Sequence, residues 1–250
     1  MGAREDVLRD LVIANRILSN EGVVDAYGHI SVRNPDAPDR FLLSWSLAPE
    51  FVDTGDLIEF ALDGTAAGGD GRPPYLERFI HASIYEARPD VQAVVHAHAE
   101  DVLPFGISAT PLVPVIHSGA FIGGEVPDWD IADEFGDDTN LLVTNVEQGR
   151  SLARRLGGGN VVLMRGHGFA AAATSIIDVV RMSVYLPRNA RAQMNGLRLG
   201  QIKPLSQGEI GARAGGPGYR PNSPETWRAW RYWAYRAGCA DRLPERPGGA

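Results

Sequence analysis

Two histidines one residue apart, His96 and His98, stand in the apolar segment VVHAHAEDV at residues 94–102. If this segment is a β-strand, both side chains point to the same face and lie about 6.5–7 Å apart along the backbone. Two imidazoles leaning together from that separation can share one metal ion at about 2.0–2.1 Å each. The alternative is a chance pair with one buried, hydrogen-bonded histidine, because such short motifs also occur without a metal.

A third histidine and a glutamate strengthen the metal interpretation. His167 lies between Gly166 and Gly168, and the backbone freedom of glycine lets such a turn aim a side chain into a site. Glu77 begins the helix before the His-x-His strand, so its carboxylate comes near the strand end if the two elements pack antiparallel. The ordinary alternatives are an exposed turn histidine and a first-turn acid stabilised by the helix dipole. His81 lies on the same helix face as Glu77 and either supports the site or simply packs.

The elements that must position these residues are helices and strands in irregular alternation. Apolar residues at helical spacing predict a helix over 5–22, and YLERFIHASIYEARPD, GRSLARRLGG and SIIDVVRMSVYLPRNARAQMNGLRLG predict three more, the last kinked or split at Pro187. Strands are predicted in HISVRN, FLLSW, LIEFAL, VQAVVHAHA and NLLVTNVE. LVPVIHSGAFI is predicted to be a strand followed by a turn, and NVVLMRGHGFAAAA a strand leading into a tight, glycine-flanked turn. This pattern predicts a layered α/β fold with helices on both sides of a sheet, rather than a strict βαβ repeat.

Composition narrows the class of protein. The 250 residues are 44% hydrophobic and 22% charged, as in an ordinary globular chain. The formal net charge of -7 does not favour binding to nucleic acid or to an anionic membrane. The single cysteine, Cys239, excludes an intrachain disulfide and a cysteine-based zinc cage. The N-terminal segment lacks a signal-peptide pattern, and no apolar run approaches the roughly 20 residues of a membrane span. We therefore expect a soluble, cytoplasmic protein.

The order and spacing of these residues resemble those of the class II aldolase/adducin family. Glu77, the His96-x-His98 pair and the RGHG turn around His167 match that family in sequence over about residues 7–200, and GHISVRN at 28–34 resembles its GNxSxR strand. Within this family, the sequence is most similar to the hydroxy-aromatic acid decarboxylases, which act on hydroxy-methylpyridine-dicarboxylate and dihydroxyphthalate. The segments that carry this similarity are GVVDAYGHISVRNP, YLERFIHASIYEARPDVQAVVHAHA and VVLMRGHG.

The resemblance implies a fold, a cofactor and an assembly. The fold is a three-layer α/β/α sandwich with a central, mostly antiparallel sheet. The sequence itself, which shows no domain-scale linker, predicts one catalytic domain over 1–210 and an aromatic and arginine-rich extension over 211–250 that packs on the body or on a neighbouring subunit. One divalent metal ion per subunit (Mn²⁺, Zn²⁺ or Fe²⁺) is implied on His96, His98 and His167, with Glu77 transferring the proton, in a homo-oligomer that is usually a tetramer. Glu77 suits that role best if burial raises its pKa towards neutrality.

Differences from the sugar-phosphate aldolases of the family guide the choice of substrate. His29 stands where those enzymes have asparagine, and RPPYLE at 72–77 lacks their serine pair, so fewer donors remain for a phosphate. We expect a small-molecule carboxylic acid instead. Candidates to hold its carboxylate are His29, Ser31, Arg72 and Arg78, although a solvated surface charge is the alternative for each arginine. The aromatic residues of the extension either wall the pocket or pack elsewhere.

The leading hypothesis is a metal-dependent lyase that decarboxylates a hydroxylated aromatic or heteroaromatic acid. A metal chelated by substrate oxygens would stabilise the charge left when the C–C bond breaks. The alternatives are an aldolase for a small unphosphorylated hydroxy-oxo acid, a non-heme iron oxygenase for an aryl-pyruvate-type acid, and a non-enzymatic interaction module of the adducin type. An interaction module is expected to have lost the metal-binding residues, whereas Glu77 and all three histidines are present.

Overall fold

A single seven-stranded sheet organises the part of the chain that the computed structural model describes, residues 3–214 and 224–244. The strand order is β3-β2-β1-β4-β7-β6-β5, and every neighbouring pair is antiparallel except β5 and β6. The predicted central, mostly antiparallel sheet is therefore confirmed. The strands are β1 His29–Arg33, β2 Arg40–Ser44, β3 Leu57–Ala61, β4 Ala93–Ala97, β5 Asp128–Trp129, β6 Val161–Met164 and β7 Gly168–Ala173.

Helices cover both faces of this sheet and complete the expected three-layer α/β/α sandwich. The helices are α1 Ala3–Asn20, α2 Arg78–Ala87, α3 Leu103–Gly106, α4 Ile131–Phe135, α5 Val146–Leu156, α6 Ile176–Leu199, α7 Gln207–Ala214 and α8 Pro224–Arg236. Apolar residues of α1, α6 and α8 form one core with the sheet, and those of α2 and α5 form a second core on the opposite face. In the described residues, no helix combines the length and apolar character needed to cross a membrane.

Strand β4 lies at the centre of the sheet and is buried along its whole length. Ala93, Val95 and Ala97 face the core under α1 and α6, whereas Val94 belongs to the core under α2 and α5. Because side chains alternate along a strand, His96 points to the same face as Val94, beneath α2. Burial on both faces explains why this strand is an almost continuous apolar run in the sequence.

Helix α6 continues through Pro187, so of the predicted kink or split the split is wrong. Proline removes one backbone hydrogen bond and crowds the preceding turn, at a cost of about 3 kcal/mol. Buried residues on both sides, among them Val184, Leu186 and Ala190, pack in the core shared with α1 and α8. We infer that this packing offsets the cost and holds the two halves together.

Of the strand and turn predicted in LVPVIHSGAFI, the turn is present but the strand is wrong, because side chains of α6 take the place of a sheet neighbour. Asn189 accepts from the Val115 N–H and donates to the Val113 carbonyl, at 2.9 and 2.8 Å. One turn later, Gln193 donates to the Pro111 carbonyl and accepts from the Val113 N–H, at 2.7 and 3.0 Å. The segment is therefore extended but bonded to helix side chains, and residues His117–Ile122 then form a short 3₁₀ turn.

The segment NLLVTNVE, predicted as a strand, is instead a turn that leads into α5. Leu141 has φ of 66°, the left-handed region that a strand cannot contain. Asn145 then caps α5 by accepting the Gln148 N–H at 3.0 Å. Local hydrogen bonding thus decides the structure here, although the apolar pattern is typical of a strand.

The described part of the C-terminal extension packs on the body of this chain. Trp230 and Trp233 are buried in the core with α1 and α6, whereas Tyr232 and Tyr235 are exposed. Arg236 pairs with Glu21 at 3.2 Å and ties α8 to the end of α1. Residues 215–223 and 245–250 of the extension lie outside the described residues, so the domain boundary at 210 remains a prediction.

Candidate active site

The candidate site lies where the end of β4 meets the turn between β6 and β7. His96 is the fourth residue of β4, and His98 follows directly after this strand. Strand β7 pairs with β4 so that Ala97 faces Phe169, which brings the turn residue His167 beside the strand end. A side chain on Gly168 would collide with the Ala97 carbonyl, so only glycine permits this close approach.

Four side chains converge at this point, and their candidate ligand atoms all lie within 4.8 Å of one another: Glu77, His96, His98 and His167. The Nε2 atoms of His96 and His98 are 3.0 Å apart. Glu77 directly precedes α2, and its Oε2 lies 3.4 Å from Nε2 of both His96 and His167. The structure thus brings together the four residues that the sequence analysis proposed for a metal site, while their roles as metal ligands and proton-transfer group remain predictions.

The outer nitrogen of each of these histidines is held by a fixed acceptor. Nδ1 of His96 donates to the Phe169 carbonyl at 3.1 Å, and Nδ1 of His167 donates to the Leu141 carbonyl at 2.9 Å. Nδ1 of His98 lies 3.3 Å from Oδ1 of Asp25. Since carbonyl and ionised carboxylate oxygens only accept, each ring carries a hydrogen on Nδ1 and, when neutral, presents a lone pair on Nε2.

This donor set fits a divalent metal ion. Three imidazole nitrogens and one carboxylate oxygen are ligands that zinc, manganese and iron accept, and the second hydrogen bond of each histidine is the support that metal ligands usually have. Asp25 is itself held, because its Oδ1 also accepts the Tyr27 and Gly28 N–H groups at 2.8 and 3.1 Å. The four donors could therefore bind an ion without a rearrangement of their supports.

Electrostatics make Glu77 a carboxylate. Burial raises the pKa of Glu77, but attraction to His96 and hydrogen bonds with His167 and His96 outweigh burial and leave that pKa below its usual range. Burial lowers the pKa of His167, but the hydrogen bond to Glu77 dominates and the net shift is upward. Burial, reinforced by His96 and His167, lowers the pKa of His98 to about 4. The pKa that sequence reasoning expected to rise is lowered, because the two histidines lie against the carboxylate.

A cavity of about 450 Å³ opens beside these groups and is large enough for a small-molecule substrate. Glu77, His98 and His167 contribute to its wall, and His29 is the one sequence-nominated substrate residue that lines it. Apolar and aromatic side chains form much of the remainder. The full lining consists of Tyr27, His29, Ser46, Tyr75, Leu76, Glu77, His98, Leu142, Gly166 and His167.

The other three substrate candidates do not line this cavity and are engaged elsewhere. Ser31 is fully buried behind His29 and contacts His81 at 2.6 Å. Arg72 pairs with Asp70 at 2.6 Å, on the surface. Arg78 donates to the Gly64 carbonyl at 2.7 Å. Both guanidinium groups thus bond to local acceptors, and neither arginine lines the cavity.

Sequence reasoning missed three residues that hold the site: Asp25, Leu141 and Val143. Asp25 is 73 positions from His98, and no sequence pattern links them. Leu141 supplies the carbonyl for His167, and Val143 donates its N–H to Oε1 of Glu77 at 3.0 Å. The left-handed backbone at Leu141 lies within this support, as strained residues often do at functional sites.

Comparisons with known proteins agree with this architecture. Residues 9–194 match the family model described as the Class II Aldolase and Adducin N-terminal domain. The decarboxylase tropJ of Talaromyces stipitatus is 38% identical over 204 residues, 77% of this chain and 77% of that protein. The 3,4-dihydroxyphthalate decarboxylase of Arthrobacter keyseri is 30% identical over 202 residues, 73% and 74% of the two chains.

A solved structure supports the same fold. The aldolase II superfamily protein from Pseudomonas syringae superposes with a TM-score of 0.78 at 21% identity, over 97% of this chain and 98% of that chain. The relatives named as decarboxylases support a lyase of the decarboxylase or aldolase type. From the family match and these similarities, the chain belongs to the class II aldolase/adducin family, and within it resembles the decarboxylase branch.

Proposed function

We propose that this protein is a divalent-metal-dependent decarboxylase of a hydroxylated aromatic or heteroaromatic carboxylic acid. The observation that carries the proposal is the convergence of three Nε2 lone pairs and the Glu77 carboxylate at the wall of a cavity. Two relatives named as decarboxylases, one of them for 3,4-dihydroxyphthalate, support the reaction type.

In this proposal His96, His98 and His167 hold the metal ion, with Glu77 beside it. The bound ion would polarise substrate oxygens and stabilise the negative charge that a breaking C–C bond leaves behind. The hydrogen bonds on Nδ1 keep the three rings in the tautomer that binds a cation. These donors would bind one divalent ion per subunit (Mn²⁺, Zn²⁺ or Fe²⁺).

Glu77 moves the proton. Its Oε1 is fixed by the Val143 N–H, so Oε2 is the oxygen turned towards the histidines and the cavity. Glu77 begins as a carboxylate and takes the proton of the substrate hydroxyl at Oε2. It returns this proton to the ring carbon from which carbon dioxide leaves, and the product oxygen regains a proton from water. Such transfer by a positioned group accelerates a reaction by about 10²–10⁴-fold.

The cavity wall suits a flat ring. Tyr27, Tyr75, Leu76 and Leu142 supply aromatic and apolar surface, and Glu77, His98 and His167 are among the polar residues of the lining. Apolar walls with a few convergent polar groups are typical of sites that bind small organic molecules. The arrangement therefore favours an aromatic acid over a sugar phosphate.

A screen of carbon dioxide release tests the reaction. Hydroxy-aromatic acids, with the hydroxyl next to the carboxylate, should release carbon dioxide after Mn²⁺ loading, and metal removal should abolish the release. Aldol cleavage of hydroxy-oxo acids in place of decarboxylation would make the enzyme an aldolase. Oxygen uptake with Fe²⁺ and an aryl-pyruvate-type acid would make it an oxygenase. Either outcome would overturn the proposal.

Ligand variants test the metal centre. His96→Ala and His98→Ala should each lose bound metal, measured by mass spectrometry, and lose turnover. His117→Ala is a matched control, because His117 is exposed and lies outside the four-residue cluster. Full metal occupancy in either of the first two variants would refute the site assignment.

We further propose that the enzyme is a homo-oligomer, most simply a tetramer. It acts on small molecules in the cytoplasm and has no nucleic-acid or membrane partner. The family resemblance supports the assembly, and the net charge of -7 supports the absence of an anionic partner. Light scattering on the purified protein gives its mass in solution directly, and a monomer would contradict the assembly.

A further inference from the structure

A row of four buried polar side chains runs from the cavity wall into the core under α2. Nδ1 of His29 lies 2.7 Å from Nε2 of His81, and Nδ1 of His81 lies 2.6 Å from Oγ of Ser31. Oγ of Ser31 lies 2.8 Å from the Tyr85 hydroxyl. All four residues are at most 1% exposed, and we call them the His29 network.

Local structure places the members of the network in contact. His29 and Ser31 are two residues apart on β1 and so share a face, and His81 and Tyr85 are four residues apart on α2. Strand β1 pairs with β4 so that His29 stands opposite His96. The network therefore lies next to the candidate metal centre, and His29 is the member that lines the cavity.

The inner end of the network fixes the direction of its hydrogen bonds. Burial raises the pKa of Tyr85, so this residue keeps its proton. The Tyr85 hydroxyl lies 2.8 Å from Oγ of Ser31 and also has a hydrogen bond with the backbone of Val94. The Val94 N–H can only donate, so of these two partners Ser31 is the one that can accept. A buried hydroxyl hydrogen without an acceptor is unfavourable, so Tyr85 donates to Ser31.

The direction then propagates outward to the cavity. The single hydroxyl hydrogen of Ser31 goes to Nδ1 of His81, because the other contact of Ser31 is the donor Tyr85. His81 thus carries its hydrogen on Nε2 and donates to Nδ1 of His29. The neutral His29 ring, with Nδ1 accepting, has its hydrogen on Nε2.

We propose that His29 is a fixed hydrogen-bond donor of the cavity, whose Nε2–H binds a negatively charged oxygen of the substrate, and that His81, Ser31 and Tyr85 are positioning residues which set this tautomer. The assignment deepens the proposed function and rests on it for the identity of the oxygen, a carboxylate or ring-bound oxygen of the aromatic acid. His29 has the tautomer opposite to that of the three metal-site histidines, so it serves the substrate rather than the ion.

The tautomer can be measured without substrate. The full chain labelled with ¹⁵N-histidine is examined by NMR, metal-free and with Zn²⁺, and the His29 signals are identified by their loss in His29→Phe. We expect the Nε2 of His29 to carry hydrogen and its Nδ1 to be unprotonated. Hydrogen on Nδ1 in the unaltered protein would overturn the proposal, and this readout requires no variant to be active.

Variants show whether the network sets the tautomer. Ser31→Ala removes the donor to His81, so the His29 signals should change to those of mixed tautomers. Ser83→Ala is a matched control, because Ser83 is a buried serine of α2 that donates to the Val146 carbonyl instead. An unchanged His29 tautomer in Ser31→Ala would remove the positioning role. Tyr85→Phe provides a second variant if Ser31→Ala does not fold.

Salicylate, which has a hydroxyl beside a carboxylate, tests the donor. Calorimetry with the Mn²⁺-loaded protein should give a dissociation constant about 10-fold or more higher for His29→Phe than for the unaltered chain, since hydrogen bonds to charged groups contribute about 1.5–3 kcal/mol. His29→Gln, which keeps an amide donor, should recover part of the affinity. Equal affinity in His29→Phe would refute the donor. If the unaltered protein does not bind salicylate, the proposed substrate class fails, while the NMR result still decides the tautomer.

Discussion

Replacement of Glu77 by glutamine separates proton transfer from metal binding. Glutamine has nearly the shape of glutamate, so its Oε1 can still accept the Val143 N–H that Oε1 of Glu77 accepts at 3.0 Å. The three histidines keep their own supports on Nδ1. The variant should therefore fold and bind metal. What it loses is a carboxylate oxygen 3.4 Å from His96 and His167 that can carry a proton.

The expected loss is in the rate. A general acid–base contributes at least about 10²-fold, which is about 2.7 kcal/mol of activation free energy at about 1.36 kcal/mol per tenfold. The assay is carbon dioxide release from the best acid of the screen, with metal content measured on the same samples. Glu86→Gln is the control, because Glu86 is an exposed glutamate of the same helix α2 that pairs with Arg150 at 2.7 Å.

Two results would refute this reasoning. A fully metallated Glu77→Gln variant with nearly unaltered turnover would remove Glu77 from proton transfer. Loss of the metal with the amide would show that the carboxylate charge is needed to hold the ion, so that its main contribution is ligation. A slow, fully metallated variant beside an unaffected Glu86→Gln enzyme is the outcome that the structure predicts.

Three further predictions concern the supports of the site and the fold. Asp25→Asn should weaken metal binding by about 10–100-fold, because Asp25 orients His98 through Nδ1; a chelator competition measures this, and unchanged affinity would contradict it. Metal affinity should fall as the pH drops through the pKa of His167, which the hydrogen bond to Glu77 raises above its ordinary value despite burial. Above that pKa the ring is neutral and binds the ion, whereas below it the ion must displace a proton. A pH-independent dissociation constant would exclude this. Trp230→Ala should destabilise the protein by about 3–5 kcal/mol in urea unfolding, whereas Tyr232→Ala on the exposed side of α8 should change stability little; equal effects would show that α8 does not belong to the core.

Much of the candidate site could be predicted from local sequence. The nearly continuous apolar run VQAVVHAHA indicates a buried strand, and it places His96 and His98 at its end. The glycines around His167 indicate a tight turn, and the position of Glu77 marks the start of a helix. Each of these features depends on residues within one or two elements, so a single sequence suffices to propose them.

Other features depend on partners that no local pattern reveals. Whether LVPVIHSGAFI is a strand depends on Asn189 and Gln193, more than seventy residues away, which occupy its hydrogen bonds. Arg72 and Arg78 look suited to a carboxylate in the sequence, but nearby acceptors hold both. Backbone and side-chain hydrogen bonds are satisfied by whichever group the fold brings close, so propensity alone cannot assign them.

The sequence by itself determined the family, the α/β class and the four residues that converge at the candidate metal centre, because periodicity and motif order are written in neighbouring residues. Only the tertiary structure decided the protonation of that centre. It placed His96 and His167 against Glu77 and so lowered a pKa that burial alone would raise. It also joined β1 to α2 so that Tyr85, Ser31 and His81 set the tautomer of His29, because the direction of a hydrogen bond is fixed by contacts between elements distant in the chain.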